Sequence, residues 1–472
     1  MYQARILAVV ALCAITISAG AQQMFGISTG TYNAINNLYL NPAHISGARE
    51  KIVVNLYAVN VAVDNSLGTF TKLGDIGKSN TDAFNLSGKQ EPFSMVVPAL
   101  DLRLPAVLVS LKDEHEQSFA LTTRVRAMNQ FNHFDPSLYS NITSDDHPDK
   151  DYRFVTSDFN WTVHSWSEMG LSYAAKVFES GPHKLRAGIT LRYLGGVNYL
   201  SLRGHNLDVS YRKGNDTFLA SHTDLSFASN AVSADNAFSN GVNGSSVLNS
   251  LFGAKSGSGF GMDIGVSYTY VFDAGDLVNI DNVDISDKHA ITVSAALIDF
   301  GSIKYKQGEN FVVNVSGNGN LTGKELEDHV GNFTEFKNYV KTKGFNVDTG
   351  SFATKVYMPT TMVFGLDYQL VKHISVNTTF IANMANRQHY GNSYYSRLTI
   401  TPRFENKFFT IGLPIGYSWL AKDIKVGLGV RIAGFFFGSD DMLAVVSSNQ
   451  HGLGFYFGGY VPIFKKKKKN EF

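Results

Sequence analysis

The most persistent feature of the chain is a two-residue rhythm of apolar and polar positions. From 260 to 272, residues Phe260, Met262, Ile264, Val266, Tyr268, Tyr270 and Phe272 share one face, and Gly261, Asp263, Gly265, Ser267 and Thr269 share the other. Successive side chains of a strand point to opposite faces, so this pattern predicts a strand that is apolar on one side and small or polar on the other. In 409–419, Phe409, Ile411, Leu413, Ile415, Tyr417 and Trp419 oppose Thr410, Gly412, Pro414, Gly416 and Ser418. In 424–432, Ile424, Val426, Leu428, Val430 and Ile432 oppose Lys425, Gly427, Gly429 and Arg431. A turn at 179–183 is flanked likewise, by Met169, Leu171, Tyr173, Ala175 and Val177 before it and Leu185, Ala187, Ile189, Leu191 and Tyr193 after it.

These apolar faces run for about ten residues or more, whereas globular strands average about five or six. A soluble β-sandwich also alternates, but its exposed face would carry more Lys and Glu than the Gly, Ser and Thr found here. About ten alternating residues is the length with which a tilted strand crosses a bilayer. In hydrocarbon every backbone N–H and C=O must find a partner, which permits such strands only in a closed sheet. Aromatic residues near strand ends (Phe260 and Phe272, Tyr417 and Trp419) fit interfacial girdles. The expectation is an all-β fold, a transmembrane antiparallel β-barrel of about fourteen strands, within about twelve to sixteen, with an N-terminal plug segment and one short loop helix.

The N-terminus sets the compartment. Arg5 precedes an apolar run from Ile6 to Ile17, followed by Ser18-Ala19-Gly20-Ala21. A basic residue, a short apolar core and small residues before a cut describe a signal peptide at 1–21 with Sec-type export. The run is too short to span the roughly 30 Å of hydrocarbon as a helix. Cys13, the only cysteine, lies inside it; a lipoprotein signal would want a small residue where Leu12 stands. Once the signal is removed, neither disulfides nor thiol chemistry remain.

Residues 22–50 lack alternation and read as an N-terminal arm or lumen plug, leaving 51–464 for the barrel. Strands are expected near 52–63, 104–112, 117–129, in the hairpin 165–195, and near 361–370, 373–384, 394–404, 408–419, 423–435 and 452–464. A polar loop at 130–160 holds Asp145, Asp146, Asp149 and Asp151, and a Ser/Asn/Gly-rich stretch at 213–257 reads as a mobile surface loop. In an insertion at 306–355, Thr322 with Glu325 makes a capping-box pattern, and Leu326, Val330, Phe333, Phe336 and Val340 recur at helical spacing. Tight turns at 405–407 and 420–422 follow one another, so either one outer connection is short or a strand is misplaced. The tail 465–472 carries five lysines, Lys465 to Lys469, suited to water and anionic headgroups.

Composition adds exclusions. Charged residues make up 17% of the chain, below the roughly 25% of soluble domains. The net charge of +1 argues against nucleic acid. No G-x-S-x-G, H-E-x-x-H, P-loop or G-x-G-x-x-G motif is present, so neither an enzyme nor a cofactor is expected. The acidic loop at 145–151, with His147, has the oxygen donors a Ca²⁺ ion wants but reads more simply as a hydrated, charged loop, and no metal is expected. His164 beside Ser165 is an isolated pair.

Charges on the small or polar faces are more informative. Arg124 and Arg126 share a face with Ser118, Ala120 and Thr122, and Arg186, Arg192, Asp263, Asp367, Arg397, Arg403 and Arg431 are placed similarly. An arginine facing lipid at mid-bilayer costs about 2–4 kcal/mol, so these side chains should point inward. They either form a buried network that holds the plug or line a binding and permeation path.

Several phrases resemble known barrels. Asn41-Pro42-Ala43 resembles the early "NPA" of FadL-type hydrophobic-compound transporters and of PorV-type barrels associated with type IX secretion. The strand at 185–194, Gly259-Phe260-Gly261-Met262-Asp263-Ile264-Gly265 and Leu297-Ile298-Asp299-Phe300-Gly301 are also similar. So are Met358-Pro359-Thr360 leading to Gly365-Leu366-Asp367-Tyr368, and the closing stretch 454–462. Together they resemble, over nearly the whole mature chain, a large outer-membrane family of unknown function widespread in Bacteroidota. The resemblance implies a FadL-like barrel with an N-terminal plug and names no substrate. Two functional expectations stay open: passage or binding of a hydrophobic or amphiphilic small molecule, with Asn41, Pro42 and Ala43 near the exit, or a sealed structural barrel that partners a secretion or surface protein. In both, the chain sits in outer-membrane lipid.

Overall fold

A computed structural model describes residues 23–72, 84–86, 91–136, 151–230, 256–272, 289–305, 312–322, 324–325, 333–350, 355–371, 373–386 and 390–465. The expected signal peptide, His147 with the first three acids of the 145–151 loop, Leu326 and Val330, and lysines 466–469 lie outside these residues.

The strands close on themselves. In chain order they are β1 (Glu50–Asn65), β2 (Phe93–Arg103 continued by Ala106–Ser110), β3 (Ser118–Phe134), β4 (Tyr152–Ser180), β5 (His183–Arg212), β6 (Thr217–Ser229), β7 (Gly257–Val271) and β8 (Ala290–Tyr305). Then come β9 (Val312–Thr322), β10 (Asn346–Gly350), β11 (Lys355–Tyr357 and Thr361–Val371), β12 (Ile374–Asn383) and β13 (Arg397–Glu405). The last are β14 (Phe409–Gly412 and Ile415–Ser418), β15 (Asp423–Val426 and Leu428–Ile432), β16 (Phe435–Ser439) and β17 (Gly452–Phe464). All but β6, β9 and β10 are staves of a 14-strand antiparallel barrel, closed by β17 pairing with β1 (Tyr460 opposite Asn55, Phe455 opposite Val61).

The alternation decides which way each side chain faces. On β5 and β7, Leu191, Ile264, Val266 and Tyr268 are exposed on the outer surface, while Thr190, Asp263, Ser267 and Thr269 are buried inside. Leu191 lies opposite Met262 and Leu171 in the middle of this outer band. Leu191→Arg is therefore expected to cost about 2–4 kcal/mol of folding into vesicles, read by urea titration. A loss below about 0.5 kcal/mol, the scale of an ordinary surface change, would mean that this band does not face lipid.

Five expectations need correction. The second stave begins at Phe93 rather than near 104, and pauses at Leu104-Pro105, where proline has no N–H to give the ladder. The strand expected at 423–435 is two, because the chain turns at Ala433-Gly434 and returns as β16. The strand expected at 408–419 is interrupted at Leu413-Pro414, although Gly427 N–H still reaches the Pro414 carbonyl at 2.7 Å. The expected loop at 213–257 contains β6, and the loop at 130–160 gives its ends to β3 and β4.

β4 and β5 are 29 and 30 residues long, about three times what a bilayer needs. The surplus has a structural use. Up to Gly196, β5 pairs with β7; from Leu200 it pairs with β6 instead, which passes the sheet to β9 and β10. The sheet thus forks at one rim into an apical sheet with its own core of Phe134, Phe154, Phe159, Leu207, Val209, Tyr339, Val340 and Phe345. Tyr339 and Val340 come from a helix, Phe333–Thr342; Leu326 and Val330 of the expected helical spacing lie outside the described residues. The Thr322 hydroxyl accepts from Glu325 N–H at 3.3 Å, which is one half of the capping-box pattern, and donates to the Glu325 carboxylate at 2.7 Å.

The opposite rim carries Glu50 paired with Phe464 and the tight turns at 111–117, 181–182, 406–408 and 433–434. These short turns distinguish it from the rim that carries the apical sheet. The turns expected at 405–407 and 420–422 fall on opposite rims, so one outer connection is short and that part of the strand order stands.

Candidate functional site in the barrel lumen

Residues 23–46 fold against the inward faces. Two short helices, Phe25–Ser28 and Ala34–Asn37, and a 3₁₀ turn, Pro42–Ile45, bury nearly every side chain there. Met24, Ile27, Ala34, Ile35, Leu38 and Ile45 pack with Val53, Ala58, Leu108, Ala120, Ala174 and Phe436 of the wall. Small wall residues make the room. A Cβ on Gly188 would lie 2.4 Å from the Pro42 carbonyl carbon, and one on Gly265 would strike the Asn41 side chain. Asn41 is the joint of this contact. Its Oδ1 accepts from Ala43 N–H at 2.9 Å, and its Nδ2 donates to the carbonyls of Val266 (3.1 Å) and Ala295 (3.3 Å) on β7 and β8. These bonds tie the 3₁₀ turn to two neighbouring strands of the wall.

Above this segment a layer of charge crosses the lumen. Arg103 and Arg124 share Asp101, at 3.1 Å and 2.8 Å. Arg126 holds Glu168 at 2.9 Å and Asp299 at 3.0 Å. Arg192 bonds Asp263, holds Asp299 at 2.6 Å and approaches Glu168 at 3.6 Å. Four arginines thus meet four carboxylates, with every one of these side chains 6% exposed or less. Burial of this depth is tolerable only where each charge is paired and hydrogen-bonded. The N-terminal segment joins the layer: Asn36 accepts from Arg103 at 2.6 Å, and the Tyr39 ring lies 4.2 Å and 4.8 Å from the guanidinium carbons of Arg103 and Arg124. From the other side Tyr394 bonds Arg126 through its hydroxyl.

The sequence-predicted residues therefore separate. Arg124, Arg126, Arg192 and Asp263 meet in the layer. Asp367 pairs instead with Arg403 (2.6 Å), which also reaches Glu405 (3.3 Å), and Glu405 accepts from Thr31 N–H at 2.8 Å. Arg431 donates to the carbonyls of Asn406, Lys407 and Ala433 and so ties two turns of the short-turn rim together. Arg397 reaches the Asp440 carbonyl at 2.9 Å. Arg186 lies at the short-turn rim, where it and Lys184 hold Glu116 at 2.9 Å and 2.7 Å. Partial burial pushes the Glu116 carboxyl up, but the two cations outweigh it and keep its pKa at about 2. His164 is buried with its Nε2 3.0 Å from the Tyr305 hydroxyl, and of the acidic loop the described Asp151 pairs with Arg212.

Sequence reading missed Asp101, Arg103, Glu168, Asp299 and the Lys425–Asp441 pair. Asp101 and Arg103 alternate with Leu100, Leu102 and Leu104 and were legible once the strand is started at 93. Asp299 was not. A bulge there gives it a φ of 56° and turns both Ile298 and Asp299 inward, with Asp299 N–H donating to Asp263 at 2.8 Å.

Between the segment and the wall lies a cavity of about 60 Å³. Phe25 and Gln23 form one side, and Val96, Ala99, Met128, Ile381 and Leu420 the walls. Tyr394 and Tyr395 close it from a segment, 390–396, that dips into the barrel mouth and is held there by Gln130, which accepts from Ser393 N–H at 2.9 Å. Phe25 is fixed by its own backbone, whose N–H donates to Asp440 at 3.0 Å.

Among solved structures, the Pseudomonas putida toluene transporter TodX is 9% identical, with 92% of this chain and 95% of that one covered at a TM-score of 0.41. The Ralstonia pickettii toluene transporter TbuX is 9% identical, with 96% and 100% covered at 0.38. A Pseudomonas aeruginosa FadL homologue is 8% identical, with 94% and 97% covered at 0.23. No curated protein matches the chain. Residues 42–440, most of the chain, match one family profile, and the protein accordingly belongs to the Family of unknown function (DUF5723).

Proposed function

We propose that the protein is an outer-membrane barrel, exported with cleavage after Ala21, that binds and passes a small hydrophobic molecule, with residues 23–49 as its plug. The observation that carries this reading is the apolar cavity between Phe25 and the 390–396 segment. An engineered apolar cavity of about 150 Å³ takes up benzene. At about 60 Å³ this one holds only a few heavy atoms, so the arrangement is the closed state. Entry requires Tyr394 and Tyr395 to lift, and exit requires Phe25 to leave Asp440, past Asn41, Pro42 and Ala43.

The test is retention of toluene by the purified barrel, read by headspace gas chromatography. Wild type is expected to retain about one equivalent at saturation, the stoichiometry of a single site. Ala62→Leu, which fills the cavity from β1, is expected to abolish retention while the barrel keeps its heat-modifiable gel mobility. Undiminished retention in this variant would place the site elsewhere. The second reading, a sealed barrel that partners a secretion or surface protein, draws on the charge-balanced layer. It would be supported by no toluene retention together with a stoichiometric protein partner in membrane extracts.

A further inference from the structure

The apolar cavity has a polar end. A second cavity, of about 20 Å³, shares Ala62, Asp64 and Arg397 with the first and continues to Lys425, Asp440 and Asp441. Lys425 Nζ sits between Asp64 (3.1 Å) and Asp441 (2.8 Å). Asp440 spends its carboxylate on the N–H groups of Phe25 (3.0 Å) and Gly26 (3.4 Å). Arg397 is committed to the Asp440 carbonyl and to Thr399. Three carboxylates against two cations leave this end one negative charge in excess.

Asp64 Oδ1 and Lys425 Nζ make no hydrogen bond beyond their ion pairs, and Asp441 is the least used of these groups. It is 6% exposed and lines the cavity, its Oδ2 meets Lys425, and its buried Oδ1 has no hydrogen-bond partner. An unfilled anionic acceptor is costly unless something donates to it. Resting on the cavity reading above, we infer that the ligand is a small amphiphile whose head donates hydrogen bonds, a primary amine foremost, with the head at Asp441 and the apolar tail against Met128, Leu420 and Phe25. A carboxylate head would meet like charge and add a fourth carboxylate where a donor is wanted. The neighbouring Asp440 holds Phe25, so a head arriving at Asp441 perturbs the anchor of the gate beside it.

The experiment compares butylamine, butanol and butyrate with toluene, each measured for retention by the purified barrel using native mass spectrometry and headspace chromatography. Butylamine is expected to be retained about tenfold more tightly than butanol, the difference one charge-assisted hydrogen bond makes, and butyrate not at all. Asp441→Asn is expected to erase the amine preference and leave toluene retention in place; if that variant does not fold, the wild-type order decides. Butyrate retained as well as butylamine, or three equal affinities, overturns the inference. If toluene is retained without head-group discrimination, the cavity reading stands and this one fails. If nothing is retained, both fail.

Discussion

Arg192→Leu is expected to destabilise the barrel by about 3–5 kcal/mol, the cost of stripping one partner from a buried ion network. Arg192 contacts three of the four carboxylates in the layer, and its side chain is 4% exposed. Without it, Asp263 keeps only the N–H of Asp299, and an uncompensated carboxylate remains where water cannot reach. Arg192→Leu combined with Asp263→Leu should recover most of the loss, since a buried pair exchanged for apolar groups of similar volume is often close to neutral. Asp299 and Glu168 remain satisfied by Arg126 in that double variant. Reversible urea unfolding in detergent, read as a double-mutant cycle, measures the coupling. A single-variant loss below about 1 kcal/mol would put the layer on the scale of solvated ion pairs.

The second large effect concerns the N-terminal segment. Deleting residues 23–40 is expected to turn a barrel silent in planar bilayers into one that carries ionic current. The deletion removes Ile27, Ile35 and Leu38 from the lumen core, Thr31 from Glu405, Asn36 and Tyr39 from Arg103, and the two N–H groups from Asp440. The strands that close the barrel are untouched, so folding should survive and is checked by heat-modifiable mobility. Asp440→Ala releases only the first turn and should give brief, incomplete openings. A deletion variant that folds and stays silent would show that the charged layer alone closes the lumen and that the segment is not the plug.

The barrel was legible because lipid imposes one rule on every stave. An outward residue must be apolar, so Leu191 or Val266 announces its face without knowledge of its neighbours. The lumen imposes no comparable rule. Arg192 could be placed inward from its strand, but its partners Asp263 and Asp299 come from two other strands, and Asp299 faces inward only through a bulge. The apical sheet was missed for a related reason. β6 reads as a polar loop because Ser221, His222, Asp224 and Ser226 interrupt its apolar positions, and only pairing with β5 and β9 fixes it as a strand. The segment at 23–46 has no periodicity because its contacts are set by the shape of the wall, through Gly188 and Gly265, rather than by a repeating surface. Asn41-Pro42-Ala43 stood out as a phrase, yet its two bonds to strand carbonyls needed the fold.

The most direct measurement is the anomalous signal of bromine in crystals of the wild-type barrel soaked with bromobenzene. One bromine site inside the lumen, with Phe25 displaced and the ring against Met128, Leu420 and Tyr394, is the predicted result. Bromine found only on the outer, lipid-facing surface, with the cavity between Phe25 and Tyr394 unchanged, would contradict it.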